Sequence, residues 1–238
     1  MAVASPPGTP RKPSTKSAAA ATPRPRRGYA GRSADQLAAE RHERLLEAAI
    51  ELFATRGYHH TPIEALCAQA RVTTRHFYEA FGSREALLMA AFDLVIAHTQ
   101  QVVLQTLDDH REAPPEVAIE AAIRAFVRAY TDDPRYARIA CLEVVGVSEA
   151  VAVRRSAVIH EFVRLVELYA EDLAARGLLL RRDFHLAGVA VAGASNELLS
   201  EWLRAPQPPD LDVVTDEILL LFRAAIMGVG PGVASSAE

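Results

Sequence analysis

Apolar side chains recur at three- and four-residue spacings over most of the chain, in segments separated by Gly, Pro and polar capping residues. Leu46, Ala49, Ile50 and Phe53 set the first stripe, within a helix expected over residues 33–56. Ser33 and Gln36 make a capping box at its start, and Gly57 supplies the left-handed stop. The stretch 61–84, TPIEALCAQARVTTRHFYEAFGSR, then holds two short patterns. Ile63, Leu66, Cys67 and Ala70 share one face of the first, while Phe77, Tyr78 and Phe81 follow at helical spacing in the second. Thr61-Pro62-Ile63-Glu64 has the form of an N-cap, a first-turn proline and a capping-box acid, and Thr73 is a second N-cap. Two helices this short around so tight a turn are a helix-turn-helix pattern. Ser83 caps a longer helix through Leu87, Leu88, Ala91, Val95 and Val102, reaching about residue 107, long enough to join two domains.

Beyond Pro114-Pro115 the pattern predicts helices over residues 116–131, 134–147, 149–176, 183–203 and 211–227. Alternating runs bounded by turns are missing, so the expected fold is all-α. Its expected parts are a basic, disordered arm (1–32), a three-helix DNA-binding head with the helix-turn-helix (33–88), a larger helical domain (89–228), whose ligand-binding and dimerisation roles are what the family resemblance given below implies, and a disordered tail (229–238). The run LAGVAVAGAS at residues 186–195 is apolar and small nearly all round. Small residues permit close helix approach, so a two-helix dimer surface is expected. Val189, Gly193, Asn196, Leu199 and Trp202 would come from one helix, and Val214, Ile218, Leu221 and Phe222 from the other. The competing reading is an ordinary monomer core.

Charge sharpens this division. Of a net −4, residues 1–34 carry +7, residues 35–90 carry −2 and the remainder −9. Nucleic-acid contact therefore belongs to the N-terminal third, whose arm is either a solvated tail or a strand that follows DNA phosphates. Cys67 and Cys141, the only cysteines, lack a secretory signal and metal-ligand spacing, which fits a reducing cytoplasmic setting. Both are expected to be core thiols, and His59 and His60 loop residues. No membrane span is expected from apolar runs. A Gly-rich phosphate loop, HExxH and CxxC are all missing, so neither enzyme chemistry nor a cofactor is expected.

Residues 46–88 closely resemble the tetracycline-repressor-like (TetR/AcrR) family. The resemblance lies in AAIELFATRGY, T-x-I-x-x-L-C at Thr61–Cys67, V-T at Val72 and Thr73, F-Y-x-x-F at Phe77–Phe81, and G-S-R-E-x-L ending at Leu87. It implies a dimeric repressor that binds double-stranded DNA at an inverted repeat and holds a small-molecule effector in its C-terminal domain. If the head docks as the family does, Thr74, Arg75 and His76 face the major groove, with Arg75 the base reader. Tyr78 reaches a phosphate, Thr73 caps and offers its backbone N–H, and Thr61 and Arg84 contact phosphates. Phe92, Ile96, Phe126, Tyr130, Tyr136, Phe162 and Tyr169 are candidates to line the effector pocket. Two positions depart from the family: Arg71 stands at the turn where Gly is usual, and Arg75 where a small residue is common. The alternative function is a helical interaction protein of this fold without specific DNA binding.

Overall fold

The computed structural model describes residues 33–228, which are helical apart from caps and connections. The expected arm (1–32) and tail (229–238) lie outside the described residues. By contacts the chain forms two compact units, Met1–Leu37 and Ala38–Glu238. In the described part of the first, the Ser33 N–H donates to Gln36 Oε1 (2.8 Å) and the Gln36 N–H to Ser33 Oγ (3.0 Å), the reciprocal capping box that opens the first helix.

That helix, α1 (Ala34–Arg56), is followed by α2 (Ile63–Ala70), α3 (Thr74–Ala80) and α4 (Arg84–Asp109). Gly57 ends α1 at φ 86°, a conformation that costs glycine nothing. α2 starts one position later than its sequence signal indicates. Its N-cap is Pro62 and makes no side-chain cap bond, so the expected Thr61–Glu64 capping box does not form. Thr73 and Ser83 do cap α3 and α4, accepting from the N–H groups of His76 and Ala86.

α4 is the spine of the molecule. Leu87, Leu88, Ala91, Phe92, Val95 and Ile96 are all buried along it, in one core cluster that extends from Leu45 on α1 to Ile226 near the last helix. Each large side chain so buried contributes about 1.5–3 kcal/mol, against about 1 kcal/mol for a cap; packing, not capping, fixes this helix. Among the described residues α4 alone is long and apolar enough to cross a membrane, with mean hydropathy 1.6 over its best window. Within that window 44% of the residues are buried in the core.

α5 (Pro115–Thr131) packs on α4. The helix expected over 134–147 is instead a short α6 (Pro134–Arg138) that passes into a π-helical segment, Ile139–Glu143. α7 (Glu149–Ala175), α8 (His185–Arg204) and α9 (Leu211–Phe222) complete the body, and α9 also ends in a π-helical turn, Arg223–Met227. α7 packs on α8, and α8 on α9.

This packing places several of the residues expected at a dimer surface within the chain itself. Leu199, Val214, Ile218 and Phe222 are buried inside the chain's own core, Leu199 at 1% exposure. Gly188, in the run of small residues, serves close approach within the chain: a Cβ there would stand 3.0 Å from Val163 Cγ1 on α7. The broad apolar stripes of α8 and α9 are thus largely consumed by α7 and by each other. Gly193 and Leu221 stay exposed, and Val189, Asn196 and Trp202 are half-buried, with the Trp202 indole donating to the Pro209 carbonyl (3.0 Å).

Candidate nucleic-acid interface and core cavity

The turn between α2 and α3 is made by Arg71, at φ 54° and ψ 48°, whose N–H donates to the Ala68 carbonyl while that of Val72 reaches Cys67. The left-handed position usually given to Gly is therefore held by Arg, and the turn closes. Phe77 is fully buried and anchors α3 against the core; Phe81 is half-buried and stacks on His42 (4.4 Å). With that face fixed, Thr74, Arg75, Tyr78 and Glu79 project outward. The Arg75 side chain is 85% exposed and Nε donates to Glu79 Oε1 at 2.8 Å. That hydrogen bond holds Glu79 below the ordinary carboxylate range. Water screens the pair, so little opposes its release when a DNA base competes. His76 is half-buried, with Nδ1 3.0 Å from Thr73 Oγ1. Tyr78 is 53% exposed.

Thr61 is a correction. It is fully buried, and Oγ1 donates to the carbonyls of Gly57 (2.8 Å) and Leu52 (3.3 Å), so no phosphate can meet its hydroxyl. It locks the loop between α1 and α2. Arg84, the first residue of α4, is half-buried against the same loop: Nη1 donates to the Thr61 carbonyl (3.0 Å) and the guanidinium lies 4.4 Å from the centre of the Tyr58 ring.

The loop is also held from the body, by residues outside the candidate set. The Tyr58 N–H donates to Glu143 Oε2 at 2.8 Å, and Arg138 Nη2 lies 3.5 Å from Glu143 Oε1. Arg135 Nη1 reaches Glu47 and Glu51 on α1, each at 2.9 Å, while its other nitrogens grip Asp133. That contact with Arg135 pulls Asp133 below its ordinary value. Glu143 did carry a signal, as a lone acid in the apolar run IACLEVVG; Arg135 carried none beyond its place after a helix-starting proline.

On the other side of the π-helical segment lies a cavity of about 150 Å³. Phe92, Ile96, Phe126, Tyr130, Phe162 and Tyr169 line it, as the residue types imply. Phe126 and Phe162 meet edge to face at 5.7 Å. Tyr136 is not in the lining. Its ring, on α6, packs against His98 on α4 (5.8 Å). Asn196, Leu199, Ile218 and Phe222, expected at a dimer surface, line the cavity as well. Cys141 does too; burial pushes its thiol up to about 12 and also raises Cys67, so neither is a ready thiolate. Burial likewise raises the Tyr130 phenol, which stays protonated. No cluster of three or more His, Cys, Asp or Glu side chains fit to hold a metal occurs among the described residues.

Residues 45–91 match the family described as bacterial regulatory proteins, tetR family. An uncharacterised HTH-type transcriptional regulator, YerO of Bacillus subtilis, is 28% identical over 93 residues, 39% of this chain and about a third (32%) of its own length. The fatty acid metabolism regulator protein of the same organism is 19% identical over 187 residues, 78% of this chain and 95% of that one. Among solved structures, FadR of Bacillus subtilis in complex with stearoyl-CoA superposes with a TM-score of 0.66 at 19% identity, over 79% of this chain and 99% of that chain. AibR in complex with isovaleryl coenzyme A and operator DNA gives 0.59 at 18% identity, over 79% and 98%.

Proposed function

We infer that this chain, whose head is that of the tetR family of bacterial regulatory proteins, is a ligand-responsive DNA-binding transcriptional regulator. The observation that carries the reading is one of connection. An outward-facing α3 with Thr74, Arg75 and Tyr78 shares one core with an apolar cavity, and the cavity wall Ile139–Glu143 is hydrogen-bonded to the head through Glu143 and Tyr58. A body that holds its head by a polar bond beside a cavity gives a ligand something to move. The intact turn at Arg71 removes the main ground for a DNA-free interaction protein.

Thr74, Arg75 and His76 read bases in this proposal, with Arg75 leaving Glu79 to bond guanine O6 and N7. Tyr78 and the Thr73 N–H meet phosphates, and Arg84 does so with the donors left free by Thr61. Two copies bind an inverted repeat, paired through the exposed parts of α8 and α9, where Leu186, Gly193, Val213 and Leu221 are uncovered. The effector is an acyl compound. An apolar lining with few polar groups suits a hydrocarbon chain, and the similar FadR and AibR structures hold stearoyl-CoA and isovaleryl coenzyme A. At about 150 Å³ the cavity is small for a long chain, which must push the walls apart, the Ile139–Glu143 segment among them.

Selection of DNA from a random pool by the purified chain tests the DNA half. An inverted repeat with half-sites about one helical turn apart is expected; a single unpaired half-site would remove the dimer, and no enriched sequence would remove specific binding.

A further inference from the structure

The cavity is not uniformly apolar, and its one charged wall is uncompensated. Arg155 on α7 lines it, with Nε buried and no hydrogen-bond partner among the described residues. Its neighbour Arg154 makes the contrast: that side chain bonds Asp93 and Glu161, each at 2.7 Å. Glu197, the acid on the nearby stretch of α8, is taken by Arg204 (3.2 Å). The Nε–H withdrawn from water without a partner keeps its desolvation cost, and the half-buried guanidinium has no counter-charge among the described residues, so an anion in the cavity would relieve both.

Arg155 also stands at one end of the cavity. From Arg155 through Phe162 to Tyr169 the lining residues of α7 follow one helical face, fourteen positions or about 21 Å at 1.5 Å per residue. Around Arg155 lie the Cys141 thiol, which feels its charge, and the amide of Asn196, one turn before Ser200, whose hydroxyl reaches the Cys141 carbonyl (3.4 Å). Towards Tyr169 the lining is aliphatic and aromatic.

We propose that the cavity selects a single-chain amphiphile with an anionic head, the head paired to Arg155 and the tail laid along α7. The inference rests on the acyl reading above and adds the head group to it. Its anion has two sources, the carboxylate of a free fatty acid or the phosphates of a CoA thioester. The pairing also places the ligand's charge against Cys141, in the same π-helical segment whose Glu143 holds the head.

Calorimetric titration of the full chain with dodecanoate, dodecanoyl-CoA and the uncharged dodecanol tests this without any variant. At least one anionic probe should bind about 10–100-fold more tightly than dodecanol, the worth of a charged hydrogen-bonded pair. A preference for dodecanoate assigns the carboxylate, and a preference for dodecanoyl-CoA alone assigns the phosphates. Arg155→Met, which keeps the length and removes the charge, should bring the preferred probe to the dodecanol level, with Arg155→Lys in between. Equal affinity for dodecanol and both anions, or an anion preference that survives Arg155→Met, would overturn the role of Arg155 and leave the acyl reading standing. Failure of all three probes to bind would overturn both.

Discussion

Arg71 shows how one residue can keep a motif while straining it. A non-glycine side chain in the left-handed region costs about 1 kcal/mol or slightly more, and at φ 54° Arg71 bears that cost on an exposed turn. Arg71→Gly should raise stability by roughly 0.5–1 kcal/mol in urea unfolding, part of the gain being lost to the freer unfolded chain. Thr61 makes the opposite point, since its sequence context marks it as a surface cap and the structure buries it. Thr61→Val should cost about 1 kcal/mol of stability through its lost bonds to Leu52 and Gly57 and leave the salt slope of DNA binding unchanged. A slope reduced by about one would restore a phosphate contact. Arg75→Ala should weaken a selected site roughly tenfold or more and relax its sequence preference. Uniform weakening on all sequences would mean a phosphate contact.

At the scale of elements, the α-helices, their order and most caps were legible, because amphipathic spacing and capping chemistry are local properties of the chain. Ser33, Thr73, Ser83 and Gly57 fall where their side chains or backbone freedom dictate. What was not legible depends on partners distant in sequence. The stripes of α8 and α9 look alike whether they face a second chain or α7, and only the fold shows which positions, such as Gly188 against Val163, pack within the chain. The π-helical Ile139–Glu143 has no local signature either, and the side of α6 that Tyr136 takes depends on His98, distant in sequence. Of the cavity, the aromatic lining was foreseeable as residue type; Arg155 was not, since nothing in sequence separates it from its paired neighbour Arg154.

The joint between body and head is an element-scale device with two predicted behaviours. Glu143→Ala leaves the Tyr58 N–H without its acceptor, at about 1–2 kcal/mol of stability. Acyl ligand should then bind as before but change DNA affinity less than in the unaltered chain. The Asp133–Arg135 cluster sets a pH dependence. The Asp133 carboxyl is depressed in the folded state, so its contribution is present above the ordinary Asp value of about 4 and is lost as pH falls through the folded value. Asp133→Asn, which still caps α6, should be less stable than the unaltered chain at pH 6, and the gap should close as pH falls below about 4 in urea titrations.

For the whole molecule, the head offers a DNA-reading surface, the body encloses a cavity and one core joins them. α4 runs from the Arg84 contact with the head loop to Phe92 and Ile96 in the cavity wall. A ligand alters DNA binding only through its differential affinity for the DNA-competent and DNA-free arrangements. The cavity's small resting volume supplies that difference if the bound tail must displace Ile139–Glu143. The direct measurement is the anisotropy of a labelled, selected operator with the full chain, titrated with dodecanoyl-CoA while calorimetry follows binding of the ligand. The account predicts that occupancy of the cavity raises the operator Kd by about 5–150-fold. Saturable ligand binding with an unchanged operator Kd would contradict it.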